Sequence, residues 1–442
     1  MAASHQIRSV GGTTVALIAA QVMMALAGVL AARELGPDGR GVVTAVISWP
    51  MLLGHLSLVG LNAAASLRVA RGRGAALPTT LASALVYSVL VGGAVTLGAI
   101  VLIPPALAHL GGNADELAVW ALLTIPTIVL ADILMCVNVA LGRVALANWC
   151  RVTGPIILLA GTVVLVSAHA VTAPRIVALT IGSGVVSLVV CAAGLPWRRI
   201  ALNLRELFED LKFGVKAHLA SIVGIANVRL DLVLMSVFAS AAQVGYYGVA
   251  NNLMMPVMSL SAAAAILLTP RVASMALADR RAGIGAQLAT IRDEGRRYFF
   301  IGAAGALVLV PAAPFAVPLI FGHAFEPVVV LVWVLIPGCI ARTYTTLISA
   351  GTLGVRRPWV GNATEGAGFL VTAALLPFLL PRYGAVGAAI TSTAAYCTSA
   401  LVAVYAIRRL ARQVRPSSPQ TPANHEEHGI SQPAAAAAAR GG

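Results

Sequence analysis

This sequence predicts an all-α, polytopic membrane protein of about 12 transmembrane helices, in two six-helix lobes related by internal pseudo-symmetry. Three observations predict it. Hydrophobic residues make up 59% of the 442 residues and charged residues 10%, which is more apolar surface than a core in water can hide. Runs of the roughly 20 apolar residues that a spanning helix needs recur from Val10 to Ala406 with short polar breaks. The basic residues gather at alternate ends of those runs. In hydrocarbon each segment must pair its own backbone groups, so the runs read as helices.

In order along the chain, the runs place helices at 10–32, 42–64, 77–103, 117–141, 150–168, 175–195, 213–238, 244–268, 298–321, 328–350, 359–380 and 385–407. The first is too long for a signal-peptide core and reads as a retained helix. An even count puts both termini on one face, and the positive-inside rule makes that face cytoplasmic. It receives 24 of the 30 basic residues, including Arg68, Arg71 and Arg73, Lys212 and Lys216, and the cluster from Arg271 to Arg297. Arg33, Arg40, Arg175 and Arg382 fall on the opposite face, and Arg229 and Arg342 lie inside the membrane. Trp120, Trp149, Trp197, Trp333 and Trp359 fall near helix ends, as an interfacial belt requires, and Trp49 is deeper. The net charge of +14 is thereby explained by topology, and no nucleic-acid partner is implied. The five cysteines show no CxxC spacing and read as small core residues, with no metal site.

The domain plan is an N-lobe over 1–199, an amphipathic cytoplasmic linker helix over 200–212, a C-lobe over 213–410 and a disordered cytoplasmic tail over 411–442. In the linker, Leu204, Leu207, Phe208 and Leu211 follow the i, i+3, i+4, i+7 pattern of a helix lying on the membrane surface. The basic stretch Arg271 to Arg297 predicts a second surface segment, and the tail is rich in Pro, Ser, Gln and Ala. Its His425-Glu426-Glu427-His428 has the wrong order for a zinc helix and reads as a solvated charge cluster. The halves also repeat. The turn Leu35-Gly36-Pro37-Asp38-Gly39-Arg40-Gly41 can be laid on Ala239-Ser240-Ala241-Ala242-Gln243-Val244-Gly245 at an offset of 204 residues. Leu141-Gly142 matches Leu353-Gly354, and Trp120 with Pro126 matches Trp333 with Pro337.

Four stretches carry a resemblance to a known family: Ala32-Arg33-Glu34-Leu35-Gly36-Pro37 with Gly41; Leu141-Gly142-Arg143; Arg229-Leu230-Asp231 followed by Val244-Gly245-Tyr246-Tyr247; and Pro381-Arg382-Tyr383-Gly384-Ala385-Val386-Gly387. In this order they resemble the polysaccharide-transporter, or O-antigen flippase, branch of the multidrug/oligosaccharidyl-lipid/polysaccharide exporter superfamily. The resemblance implies two lobes that alternate between inward-open and outward-open states. It also implies a lipid-linked glycan substrate on undecaprenyl pyrophosphate, whose polar head crosses a central cavity while the lipid tails stay in the bilayer. Membrane lipids and other polysaccharide-assembly proteins are the partners expected, with the chain acting as a monomer.

An anionic, hydrated head needs positive charge and hydrogen-bonding groups along its path. Charges inside a membrane are costly and ordinarily face the protein interior. Arg342 and Asp132 lie at about the same depth, about 14 and 15 residues in from the outer face. Arg342 is therefore the candidate phosphate contact, and Asp132 its resting counter-ion or a carrier of the coupling ion. Arg229 and Asp231, two residues apart and so about 200° apart around a helix, cannot share a face. Arg229 is a second phosphate candidate and Asp231 a second ion-coupling candidate. Asn62, Asn227 and Asn251 are candidate cavity residues, with interhelical hydrogen bonding the alternative for each. Glu365, about six residues into its helix from the cytoplasmic side, reads as wetted.

No GxxxxGK[ST] loop is present, so no ATP cofactor is implied and the drive is an ion gradient, with H+ or Na+ as the coupling ion, the membrane potential, or downstream consumption. The external connections are short, and the 104–116 loop offers only Asp115 and Glu116. That argues against a glycan polymerase or ligase, which needs acid/base carboxylates outside. A secondary transporter in the cytoplasmic membrane remains, with a multidrug antiporter and a peptidoglycan-precursor flippase as the alternatives.

Overall fold

The computed structural model describes residues 2–72, 75–197, 200–278 and 284–413, and the side chains of all of these except 2–11, 216–222, 270 and 276–278. The described residues form helices and no strand. In order these are α1 (Ala2–Ser57), α2 (Leu61–Arg71), α3 (Leu77–Tyr87), α4 (Gly93–Leu107), α5 (Ala114–Leu122), α6 (Ile125–Ala140), α7 (Val144–Ser167), α8 (Ala173–Ala192), α9 (Leu204–Phe238), α10 (Ala241–Ala278), α11 (Ile284–Phe321), α12 (Val328–Gly354) and α13 (Trp359–Gln413). Nine helices among the described residues are long and apolar enough to cross a membrane. Two of these, within α1 and α13, fold back at Gly36 (φ 67°) and Gly384 (φ 55°), so each is two passes. Large apolar side chains such as Leu102, Leu307 and Phe315 stand exposed on the outside of the bundle, where only lipid can cover them.

The chain reverses at Gly36, 108–113, 168–172, 239–240, 322–327 and Gly384 at one end of the bundle, and at 58–60, 141–143, 193–203 and 355–358 at the other. These are called below the Gly36 end and the Arg68 end. At the Gly36 end the repeat inferred from the sequence becomes a reciprocal contact. Gly41 lies against the Ala241 carbonyl, and Gly245 lies against the Pro37 carbonyl. Adding the 204-residue offset turns one contact into the other, as a two-fold axis requires. Thr44 and Gly248, related by the same offset, touch each other and so lie beside that axis. No side chain fits in this seam, which is why both positions are glycine.

At the Arg68 end a second glycine seam forms. The expected second helix, 42–64, stops at Ser57 because Val59 (φ 43°) and Gly60 (φ 76°) take left-handed backbone, the latter unstrained only for glycine. A Cβ on Gly60 would lie 2.8 Å from the Cα of Gly214, so the turn packs backbone to backbone on α9. Beside it Arg68 of α2 binds α9: Nη1 meets Glu206 Oε2 at 2.6 Å, and Nε and Nη2 donate to Asp210 Oδ1 at 3.0 and 2.8 Å. Burial works against the charge of Arg68, but Asp210, Glu206 and Glu209 outweigh it and raise its pKa above the ordinary value.

The structure alters three expectations. The linker does not end at 212: Asn203 caps Glu206 N, and α9 runs unbroken from Leu204 into the membrane to Phe238. Its expected apolar stripe divides, with Leu207 buried against the protein and Leu204 and Phe208 exposed to the bilayer surface. The basic stretch 271–297 is no separate surface segment in its described parts, because 271–278 extend α10 and 284–297 open α11. Helix is cheaper to continue than to restart. Residues 411–413 close α13, and the rest of the expected tail, including His425 to His428, lies outside the described residues.

Candidate functional site

Two polar clusters lie within the bundle, one in each half of the chain. In the C-terminal half, α9, α10, α12 and α13 bring together most of the charges expected inside the membrane. Arg342 of α12 donates from Nη1 to Glu365 Oε1 at 2.6 Å, and its guanidinium sits 5.4 Å from the ring centre of Tyr396. Asn227 of α9 donates to the other oxygen of Glu365 at 3.2 Å and accepts from Thr372 at 3.3 Å. Gly368 makes room for this arrangement, since a Cβ there would lie 2.7 Å from Asn227 Nδ2. One turn further along α9, Asp231 is 3% exposed and saturated with donors: Tyr247 OH, Ser392 Oγ at 2.9 Å and Leu232 N at 2.7 Å. Arg229, two residues from each of Asn227 and Asp231 along α9, points from a different face of that helix. It is partly exposed, makes no hydrogen bond or ion pair among the described residues, and stands within electrostatic reach of Asp231 and Tyr396.

The chemistry available follows from these donors. A guanidinium offers five N–H groups in a planar fork suited to phosphate or carboxylate oxygens. Arg342 commits one nitrogen to Glu365, and Arg229 commits none. An anion arriving here meets one free guanidinium and one whose bond to Glu365 it can exchange for its own.

The N-terminal half holds a different pair. His55 of α1 places Nδ1 2.6 Å from the Met51 carbonyl, which can only accept, so Nδ1 carries the hydrogen. Nε2 then faces Asp132 Oδ2 of α6 at 3.6 Å. Bare nitrogen and carboxylate repel, and a proton on either group makes the approach favourable. Cys136 and Cys191 are further titratable groups in electrostatic reach of Asp132, and Arg151 acts on both of these thiols.

The structure therefore groups Arg342, Arg229, Asn227 and Asp231, and sets Asp132 apart from them. The expected counter-ion of Arg342 was Asp132; Glu365 takes that place, with its side chain 17% exposed, and is not a wetted surface acid. Two long side chains span the difference in depth between α12 and α13. Asn62 lies at the Arg68 end, where its Oδ1 accepts from Ala63 N, and Asn251 stands partly exposed on α10. Ser392 and Tyr396 carry no signal in the sequence, and Tyr247 enters there only as part of the resemblance, because hydroxyls and rings declare partners only once helices are placed side by side.

The sequence profile of a family described as polysaccharide biosynthesis protein matches residues 7–276. No curated protein matches the chain. Solved structures share its fold at low identity. A lipid II flippase, MurJ, in an inward closed conformation superposes with a TM-score of 0.75 at 14% identity, over 90% of this chain and 87% of that one. An inward-facing multidrug resistance MATE family transporter of the MOP superfamily gives 0.71 at 18%, over 89% and 95%. A MOP superfamily transporter from Pyrococcus furiosus, described as having a binding pocket of reverse polarity, gives 0.62 at 16%, over 92% and 96%.

Proposed function

The chain belongs to the polysaccharide biosynthesis protein family, and from that membership we propose that it is an alternating-access flippase. It carries an oligosaccharide linked to undecaprenyl pyrophosphate across the cytoplasmic membrane for assembly of a cell-surface polysaccharide. The orientation follows the basic residues: the Arg68 end and both termini face the cytoplasm and the Gly36 end faces outward. Two lobes, the N-terminal and C-terminal halves, rock about the axis beside Thr44 and Gly248. Arg229 and Arg342 receive the pyrophosphate, Asn227 holds Glu365 as the resting counter-ion, and the His55–Asp132 pair binds the coupling proton.

One observation carries the reading most. Arg229 is a cation inside the bundle that bonds to nothing among the described residues, and it shares the neighbourhood of Tyr396 with a second cation, Arg342, held by a single carboxylate. Such a charge is expensive in a membrane and is ordinarily kept for a ligand or an ion path. A peptidoglycan-precursor flippase is the second reading, favoured by the TM-score of 0.75 to MurJ; it would use the same pyrophosphate contacts.

Depletion of the protein separates the two. The first reading expects a lipid-linked, repeat-length surface oligosaccharide to accumulate on the inner leaflet, with peptidoglycan precursors at normal levels. Complementation by Arg342→Gln at wild-type abundance should leave the accumulation in place. Accumulation of the peptidoglycan precursor alone selects the second reading, and normal export by Arg342→Gln rejects the phosphate role.

A further inference from the structure

Beneath the seam at the Gly36 end lies a charge that belongs to neither polar cluster. Arg40 stands four residues past the Gly36 turn, and topology alone would leave it on the outer surface. Its side chain turns inward instead. A Cβ built on Gly28 would lie 3.5 Å from Arg40 Nη2 and 3.6 Å from Asn252 Nδ2, so the guanidinium reaches α1 eight residues before the turn and lines the same space at Gly28 as Asn252 of α10 in the other half. At ~1.5 Å per residue that is about 12 Å toward the membrane centre. Arg40 Nε is sealed and bonds to nothing, and the guanidinium makes no ion pair among the described residues. The nearest acids in sequence, Glu34 and Asp38, are exposed and do not pair with it.

The repeat shows that the fold does not need this charge. The offset of 204 residues pairs Arg40 with Val244, which is fully buried at the matching place in the other half. An apolar side chain satisfies the same packing there. A cation kept where its symmetry mate is valine, with an orphaned donor and an uncharged amide beside it, fits an anion that is present only part of the time.

We propose that Arg40, with Asn252, is a phosphate-binding station for the lipid-linked headgroup at the outer end of the path, engaged as the Gly41–Ala241 seam parts. This rests on the flippase reading and extends it. Arg229 and Arg342 hold the pyrophosphate at the middle of the C-terminal half, and Arg40 takes it from the N-terminal half as the exit opens. The headgroup thus passes from one half to the other and is never left without a counter-charge.

The test uses the full chain in nanodiscs, with undecaprenyl pyrophosphate, undecaprenol and inorganic pyrophosphate as probes. Arg40→Gln should weaken undecaprenyl pyrophosphate about 10-fold or more, the loss of a charge-assisted contact, Arg40→Lys should restore most of it, and undecaprenol should bind all variants alike. Arg40→Val should melt no lower than wild type without lipid, as Val244 foretells. Wild-type pyrophosphate-lipid binding by Arg40→Gln, or unfolding of Arg40→Val, overturns the assignment. Inorganic pyrophosphate binding as tightly as the lipid through Arg40 would reassign the residue to a soluble anion and overturn it also. The parent reading is judged by Arg342→Gln in the same assay: weakening there with none in Arg40→Gln sinks this inference alone, and weakening in neither sinks both.

Discussion

Replacing Gly41 with alanine is expected to part the two halves at the Gly36 end. The added methyl would overlap the Ala241 carbonyl oxygen, lie 2.5 Å from the carbonyl carbon and 3.0 Å from Cα. Ordinary carbon contacts begin at about 3.5 Å, so the first turn of α10 must retreat by about 1 Å. Backbone faces backbone here, and no side chain can rotate out of the way. Overpacking a tight contact costs about 1–3 kcal/mol, and a rigid neighbour places this case at the upper end. A shift of about 3 kcal/mol changes the ratio of closed to open forms by about 150-fold. The change is read by placing a cysteine at Thr44, just inside the seam, in a background with the five native cysteines replaced. An impermeant thiol reagent added at the Gly36 side should label it much faster in Gly41→Ala than in the parent. Gly245→Ala, the offset-related change, should act likewise. Gly98→Ala, where an added Cβ meets nothing within 4 Å, should have no effect. Labelling of Gly41→Ala at the parent rate would refute the idea that this contact is the seam.

Two further perturbations address charge. Asp132→Asn removes the carboxylate that faces His55 Nε2 at 3.6 Å, so flipping of a labelled lipid-linked oligosaccharide in proteoliposomes should no longer respond to an imposed pH gradient; a full response would move proton coupling elsewhere. Arg68→Gln breaks two hydrogen bonds to Asp210, 8% exposed, and the 2.6 Å contact with Glu206. It should cost about 2 kcal/mol, visible as a lower melting temperature, with a double-mutant cycle against Asp210→Asn giving a coupling above about 0.5 kcal/mol; additive losses would show the pair to be incidental.

The fold is largely legible in the sequence, because lipid forces one answer. Apolar runs must be helices, arginines sort their ends, and the 204-residue repeat reappears as the reciprocal Gly41 and Gly245 contacts. The site is legible only as a set of names. Depth along a helix can be counted, but rotation about its axis and the reach of long side chains cannot. Matching depth therefore paired Arg342 with Asp132 in the other half. The useful signal was connectivity: α12 and α13 are joined by a four-residue turn at 355–358, so they pack as antiparallel neighbours, and an acid on one is the natural partner of a base on the other. His55 and Asp132 became partners because α1 packs on α6, which no spacing in the sequence records.

These pairings carry a consequence for motion. Among the described residues, each ion pair set inside the bundle lies within one half: Arg342 with Glu365 in the C-terminal half, His55 with Asp132 in the N-terminal half. Between the halves the contacts are of another kind. They are glycine against carbonyl at Gly41 and Gly245, and neutral hydrogen bonds such as Trp49 Nε1 to Ser236 at 3.0 Å. Separating two charges in low dielectric costs far more than parting two apolar surfaces or one neutral hydrogen bond. Arg68 with Glu206 and Asp210 does cross from one half toward the other, but at the Arg68 end, where water can take over each charge. Rocking of a bundle wired in this way about the Thr44–Gly248 axis would pull apart neither of these ion pairs in hydrocarbon. The charges left unpaired by this wiring, Arg229 and Arg40, are the ones an anionic cargo would neutralise as it passes.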